Sequence, residues 1–220
     1  MLRRLFSSTL ARNLLQLEHL EIYNCPELEQ IIAEDEDEDE EHLQPVGPMH
    51  NFSLQSLTCL KVDGCTVLRR LFSSTLARNL LQLEKLEIYF CWELEQIIAE
   101  DEDEEHLQPV CFSKLRSITV GFCPKLKHLF HISVAPSLQK LSRLCMIGND
   151  KLEEVFWHKD GADVTDYNEI VMNELGRLEL RDLLNLTNIW PAGYQIPFPC
   201  AKSVDVNNCP KLRLNSEGDR

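Results

Sequence analysis

The stretch LRRLFSSTLARNLLQLEHLEIYNCPELEQIIAE, residues 2–34, returns at residues 68–100 as LRRLFSSTLARNLLQLEKLEIYFCWELEQIIAE. Three of its 33 positions differ: His19/Lys85, Asn24/Phe90 and Pro26/Trp92. Each copy then runs into an acidic tract and the same HLQPV. A block copied 66 residues further on within one chain points to an architecture that accepts extra units. Stacked units do so, because each touches only its neighbours; closed globules rarely do.

Inside the block sits a shorter frame, Leu17-x-x-Leu20-x-Ile22-x-x-Cys25-x-x-Leu28. It recurs at Leu57-Leu60-Val62-Cys65-Leu68, Leu83-Leu86-Ile88-Cys91-Leu94 and Leu115-Ile118-Val120-Cys123-Leu126. Leu141-Leu144-Met146-Asn149-Leu152 carries Asn in the polar slot. Leu175-Leu178-Leu180-Leu183-Leu186 has lost that slot, and Ala201-Val204-Val206-Cys209-Leu212 is weaker at its start. The frame L-x-x-L-x-L-x-x-N/C-x-L is the leucine-rich repeat. Its L-x-L pair alternates with period two, so both apolar side chains leave a short strand on one face. Asn or Cys three residues later stands where the chain turns away, and its polar hydrogen is expected to reach backbone groups of the next turn. Leu28, Ile31 and Ile32 would close the core from the other side. The expected fold is α/β: a leucine-rich-repeat solenoid, a curved horseshoe. A parallel β-sheet lines its concave face, and irregular or short helical segments lie on the convex side.

Successive first leucine positions are spaced 40, 26, 32, 26, 34 and 26 residues, so long and short units alternate. The long units hold the extra material: the acidic loops at 34–41 and 100–105, and the stretch Lys159–Asn173. Residues 17–212 are expected to form about seven repeats, and 213–220 a polar tail. Leu2–Gln16 matches Leu68–Gln82, the closing half of a unit, so residues 1–16 read as an incomplete first repeat and the start as a cut in mid-repeat.

The net charge is −14, and the two tracts hold all of it: removing their 14 acids leaves 22 acids against 22 Lys and Arg. A balanced repeat body argues against a nucleic-acid surface. The tracts repel themselves too strongly to pack and are expected to be solvated loops. No run of 18 apolar residues marks a membrane span. The basic, acid-free opening resembles a transit peptide, but the same string at Leu68–Leu81 makes it repeat material. Cys25, Cys65, Cys91, Cys123 and Cys209 occupy the ladder slot with Asn149; Cys59, Cys111, Cys145 and Cys200 are scattered, and no C-x-x-C occurs. Ladder thiols without a secretion signal suggest a reducing compartment, and so a cytoplasmic location. His128-x-x-His131 lacks a third ligand, no nucleophile elbow or Cys–His pair stands out, and neither cofactor nor metal is expected. No residue pattern supports an enzyme.

The frame with Cys for Asn is joined by C-P-x-L at Cys25–Leu28, Cys123–Leu126 and Cys209–Leu212, and by LEQIIAEDEDE, LKHLF and LELRDLLNLTNIW. Together they resemble the C-terminal repeats of plant coiled-coil nucleotide-binding leucine-rich-repeat disease-resistance proteins, over essentially the whole chain. That resemblance implies a non-catalytic protein-recognition module of innate immunity. Its partner would be a pathogen effector, a guarded host protein or an upstream nucleotide-binding domain. These 220 residues contain no G-x-x-x-x-G-K-[ST] phosphate loop, so only the recognition role carries over. The alternative is a repeat adaptor in another pathway, such as a substrate receptor in ubiquitin ligation.

The binding face is expected to be the concave one, built from the x positions that flank each L-x-L pair. Tyr23, Tyr89, Phe90 and Phe122 should form an aromatic patch, with Lys61, Lys85, Arg143 and Arg181 as basic neighbours. Aromatic residues and Arg are enriched where interfaces draw their affinity. Two of the three changes between the copies, Asn24/Phe90 and Pro26/Trp92, add aromatics there.

Overall fold

A computed structural model describes residues 2–7, 10–11, 14–32, 54–99, 110–158, 172–191, 197 and 199–213. Both acidic tracts and most of Lys159–Asn173 lie outside the described residues. Along the chain the strands are β1 (Arg4–Phe6), β2 (His19–Tyr23), β3 (Gln30–Ile32), β4 (Cys59–Asp63), β5 (Arg70–Phe72), β6 (Lys85–Tyr89) and β7 (Gln96–Ile98). Then come β8 (Ser117–Gly121), β9 (His128–His131), β10 (Arg143–Ile147), β11 (Glu154–Trp157), β12 (Arg177–Arg181) and β13 (Ser203–Asn207).

Each repeat frame places one five-residue strand in a single parallel sheet of order β13-β12-β10-β8-β6-β4-β2. The register never slips: Leu20, Leu60, Leu86, Ile118, Leu144, Leu178 and Val204 stand side by side. A slip of one residue would turn every apolar side chain outward, so the shared core holds the pairing. The second and fourth residues of β4, β6, β8, β10 and β12 are all buried. At the last strand, Val204 and Val206 of β13 remain 51% and 38% exposed.

Behind the sheet lies a second layer. The expected short helical segments are present: α1 (Ser74–Asn79) and a 3-10 turn at Ile132–Ser137. They share that layer with three parallel ribbons the repeat frame did not announce, β1–β3, β5–β7 and β9–β11. Their R-L-F and Q-I-I segments are rich in aromatic and β-branched residues, which suit extended backbone better than helix. Serine starts the turn in both copies of the block. Ser73 Oγ accepts from the Leu76 N–H at 3.3 Å, and Ser7 Oγ from the Leu10 N–H at 3.2 Å. In the next equivalent unit His131 takes over, its Nδ1 accepting from the Ser133 N–H at 3.3 Å.

Between the layers the core is continuous. Its later half carries an aromatic spine: Phe112 and Phe130 at 5.6 Å between ring centroids, Phe130 and Phe156 at 6.4 Å, Phe156 and Trp190 at 4.5 Å. The ladder slot works differently from the expectation. Asn149 reaches back to the preceding unit, not on to the next: its Oδ1 accepts from the Cys123 N–H and its Nδ2 donates to the Val120 carbonyl, both at 3.0 Å. Parallel stacking turns the free N–H of each slot toward the following unit, so the later residue serves the earlier one. The cysteines supply weaker versions. Cys25, Cys91, Cys123 and Cys209 donate to carbonyls two residues back at 3.4–3.5 Å, and Cys209 also reaches the Leu180 carbonyl of the unit before at 3.5 Å. Cys65 fills its slot fully buried, and burial pushes its thiol up to about 12. All nine cysteines are free thiols.

Candidate protein-binding surface

Odd positions of the sheet strands point away from the core and form three rows across the concave face. The residue that follows each strand is left-handed in all seven units: Asn24, Gly64, Phe90, Phe122, Gly148, Asp182 and Asn208, with φ between 49° and 71°. The backbone reason is a hydrogen-bond ladder that continues past the strand ends. The N–H of Asn24 donates to Asp63, of Gly64 to Tyr89, of Phe90 to Gly121, of Phe122 to Ile147, of Gly148 to Arg181 and of Asp182 to Asn207, at 2.8–3.1 Å. Asn, Gly and Asp accept this conformation readily, whereas for a bulky residue it is an outlier. Phe90 and Phe122 hold it nonetheless.

Those two rings are 44% exposed each, and they stack with centroids 4.9 Å apart and planes 4° from parallel. The row permits this because the next residue along it is Gly148, where a Cβ would come within 2.8 Å of Phe122 Cδ1. Trp92, two residues beyond Phe90, is 58% exposed.

The expected single aromatic patch is two groups. Phe90 and Phe122 make one. In the other, Lys61 Nζ lies 5.1 Å from the Tyr23 ring centroid and 6.0 Å from that of Tyr89, because β4 separates β2 from β6. A hydrogen bond toward Tyr23 raises the Lys61 pKa, and the Tyr23 hydroxyl also donates to Glu21 at 2.8 Å. Tyr89 leans over β8, where a Cβ on Gly121 would meet its Cδ1 at 3.1 Å. Burial raises the Tyr89 pKa and keeps its hydroxyl protonated.

The basic residues also divide. At the first strand position Lys85, Ser117, Arg143 and Arg177 stand in register across β6, β8, β10 and β12. Lys85 pairs with Glu87 at 3.0 Å. Arg177 and Arg181 grip the buried Glu179 at 3.1 and 3.2 Å, and Arg181 also pairs with Asp205. Among the described residues no carboxylate pairs with Arg143. Sequence reasoning singled out Arg143 and Arg181 but not the Arg143–Arg177 juxtaposition. It also missed the left-handed row, whose signal was available as Asn, Gly or Asp in the slot just after five of the seven strands.

Away from this face, His128-x-x-His131 joins an aromatic cluster. His128 lies 5.7 Å and His131 4.9 Å from the Trp157 ring, and His158 stacks on His131 at 5.8 Å. Burial, then the neighbouring His158, lowers the His131 pKa. A polar depression of about 420 Å³ nearby is lined by His128, Glu154, His158 and Lys211, among others. Among the described residues no group of three or more His, Cys, Asp or Glu side chains could hold a metal ion. Nor is any helix there long and apolar enough to cross a membrane.

The profile of the leucine-rich repeats of RPS2-like plant disease resistance proteins matches residues 38–92 and 93–215, most of the chain. The chain belongs to this family. It is 32% identical over 114 residues to the probable disease resistance protein At4g14610 of Arabidopsis thaliana, a match covering 49% of this chain and 15% of that protein. It is 32% identical over 102 residues to the probable disease resistance protein At5g63020 of the same plant, covering 46% and 11% respectively. The chain therefore spans a small part of the length of the relatives it matches. No solved structure matches it. Its seven-stranded parallel sheet is the leucine-rich-repeat solenoid of these repeats, and their family is one of plant disease resistance.

Proposed function

We propose that residues 17–212 form a non-catalytic protein-recognition module of plant innate immunity that senses a pathogen effector or a guarded host protein through the concave face. The observation that carries this reading is the Phe90–Phe122 pair. Both rings are exposed, both stand on strained backbone, and they stack on the rim of the sheet. Strain that persists on a surface, where Asn or Gly would relieve it, is a mark of use. Membership of the disease resistance repeats supplies the setting. An upstream nucleotide-binding domain is the other partner this face would suit. Nine free thiols agree with a reducing, cytoplasmic setting.

The test is hydrogen exchange of the purified chain, alone and with each member of a panel of purified effectors and host targets. Slowed exchange in β6, β8 and β10 on adding a binder is the expected result. A binder that protects only α1 and the ribbons of the second layer would move recognition off the concave face.

A further inference from the structure

We propose that the concave face takes an acidic, extended protein segment that also bears apolar side chains. Its carboxylates would meet Arg143 and Arg177, and its apolar groups the Phe90–Phe122 stack. This rests on the concave face being the recognition face and adds the chemistry of the partner.

Arg143 and Arg177 are register partners on β10 and β12. Like charges set directly opposite each other on adjacent strands destabilise a sheet. Elsewhere on this face the cations have answers: Lys85 has Glu87, Arg181 has Asp205 and Glu179, and Lys61 lies between two tyrosine rings. Arg177 shares Glu179 with Arg181. Arg143 is exposed and lacks a carboxylate among the described residues. Across β6, β8, β10 and β12 the outward positions carry Lys85, Arg143, Arg177 and Arg181 against Glu87 and Glu179. This is a locally cationic zone on a chain of net charge −14. An incoming carboxylate would complete the Arg143–Arg177 pair in the bidentate geometry arginine favours.

The stacked rings stand at the opposite end of the same strands. Phe122 follows β8, whose outward residues are Ser117, Thr119 and Gly121, all small. β8 therefore forms a low floor between β6 and β10, with cations at its start, the Tyr89 ring lying over Gly121, and the stacked rings at its end. Strand geometry puts about 17 Å between those ends, the reach of about five extended residues. A segment of that length satisfies both ends at once. A polyphosphate chain fits less well, because it carries no apolar group to set against the exposed Phe90–Phe122 stack.

The probe is a fluorescent peptide of alternating Glu and Phe, read by anisotropy against the full chain. Its controls are a Lys/Phe peptide, a Glu/Gly peptide and a thymidine oligonucleotide. Expected is saturable binding of the Glu/Phe peptide alone, weakened by rising salt as exposed charges are screened. Arg143→Glu should weaken it more than tenfold, Arg143→Lys much less, and Phe90→Asn with Phe122→Asn more than tenfold, all with wild-type circular dichroism. Equal affinity for the Lys/Phe peptide, indifference to Arg143→Glu, or tighter binding of the oligonucleotide would overturn the proposal. Binding seen only after Glu34–Glu41 and Glu100–Glu105 are replaced by Gly and Ser would give the face to the chain's own acidic tracts, and so would also overturn it. A library of displayed peptides separates the two readings. Selected binders that protect β6–β10 but are basic would sink the acidic partner and leave the recognition face standing. Binders that protect only the second layer would sink the recognition face itself.

Discussion

Phe90 and Phe122 stack face to face at 4.9 Å while each holds a left-handed backbone, φ 54° and 57°. Two opposing terms meet in this pair. The left-handed conformation costs a non-glycine residue roughly 1–2 kcal/mol, and an aromatic stack returns about 0.5–1.5 kcal/mol. Two such residues outweigh one stack, so on these terms the pair adds nothing net to stability.

Replacing both by Asn, the residue that stands at the same slot as Asn24 and Asn208, should leave unfolding free energy within about 1 kcal/mol of wild type or raise it. Phe156→Ala, which opens the buried aromatic spine, should cost about 3–5 kcal/mol. Urea unfolding of both variants checks this. Equal losses would make the stack a structural clasp.

Asn149 joins two units by two buried hydrogen bonds. Asn149→Ala strands the Cys123 N–H and the Val120 carbonyl and should cost at least about 2 kcal/mol, since each buried orphan is worth about 1–3. Asn149→Cys should recover part of this, because cysteine fills the same slot in five other units. Chemical denaturation of the two variants, compared at matched slope, is the measurement.

His131 is held below its ordinary pKa by burial and by the His158 ring stacked on it. Its folded form therefore gives up its proton more readily than the unfolded chain does. Below about pH 6.5 the unfolded state binds more protons, so stability is full above that point and declines as pH falls. His131→Asn keeps a good capping residue and should show a smaller drop in melting temperature from about pH 8 to pH 5. An identical drop would place the dependence elsewhere.

Burial pushes the Cys65 thiol up to about 12 and raises those of Cys145 and Cys209. Thiolate is the reactive form. In the folded chain at mild alkaline pH, the exposed Cys200 should react with iodoacetamide first, and Cys65 and Cys91, both fully buried with raised thiol pKa values, last. All nine should titrate in denaturant without reductant. A count well below nine would mean that disulfides form.

The repeat frame, written seven times in the sequence, determined the strands, their shared register and the buried ladder, because only one stacking lets every L-x-L pair share a core. It also located Tyr23, Tyr89, Arg143 and Arg181 on the outward positions of a sheet, since alternation along a strand is a local rule, and set Phe90 and Phe122 just past the ends of their strands. Tertiary structure alone decided which of those residues meet. The order of strands sets Lys61 between Tyr23 and Tyr89, brings Phe90 against Phe122 and places Arg143 beside Arg177. The backward reach of Asn149 was decided in the same way, and so was the left-handed backbone of Phe90 and Phe122, where no Asn, Gly or Asp announces it. Each depends on which unit presents a free N–H or carbonyl to its neighbour, and that is a property of the stack, not of any single repeat.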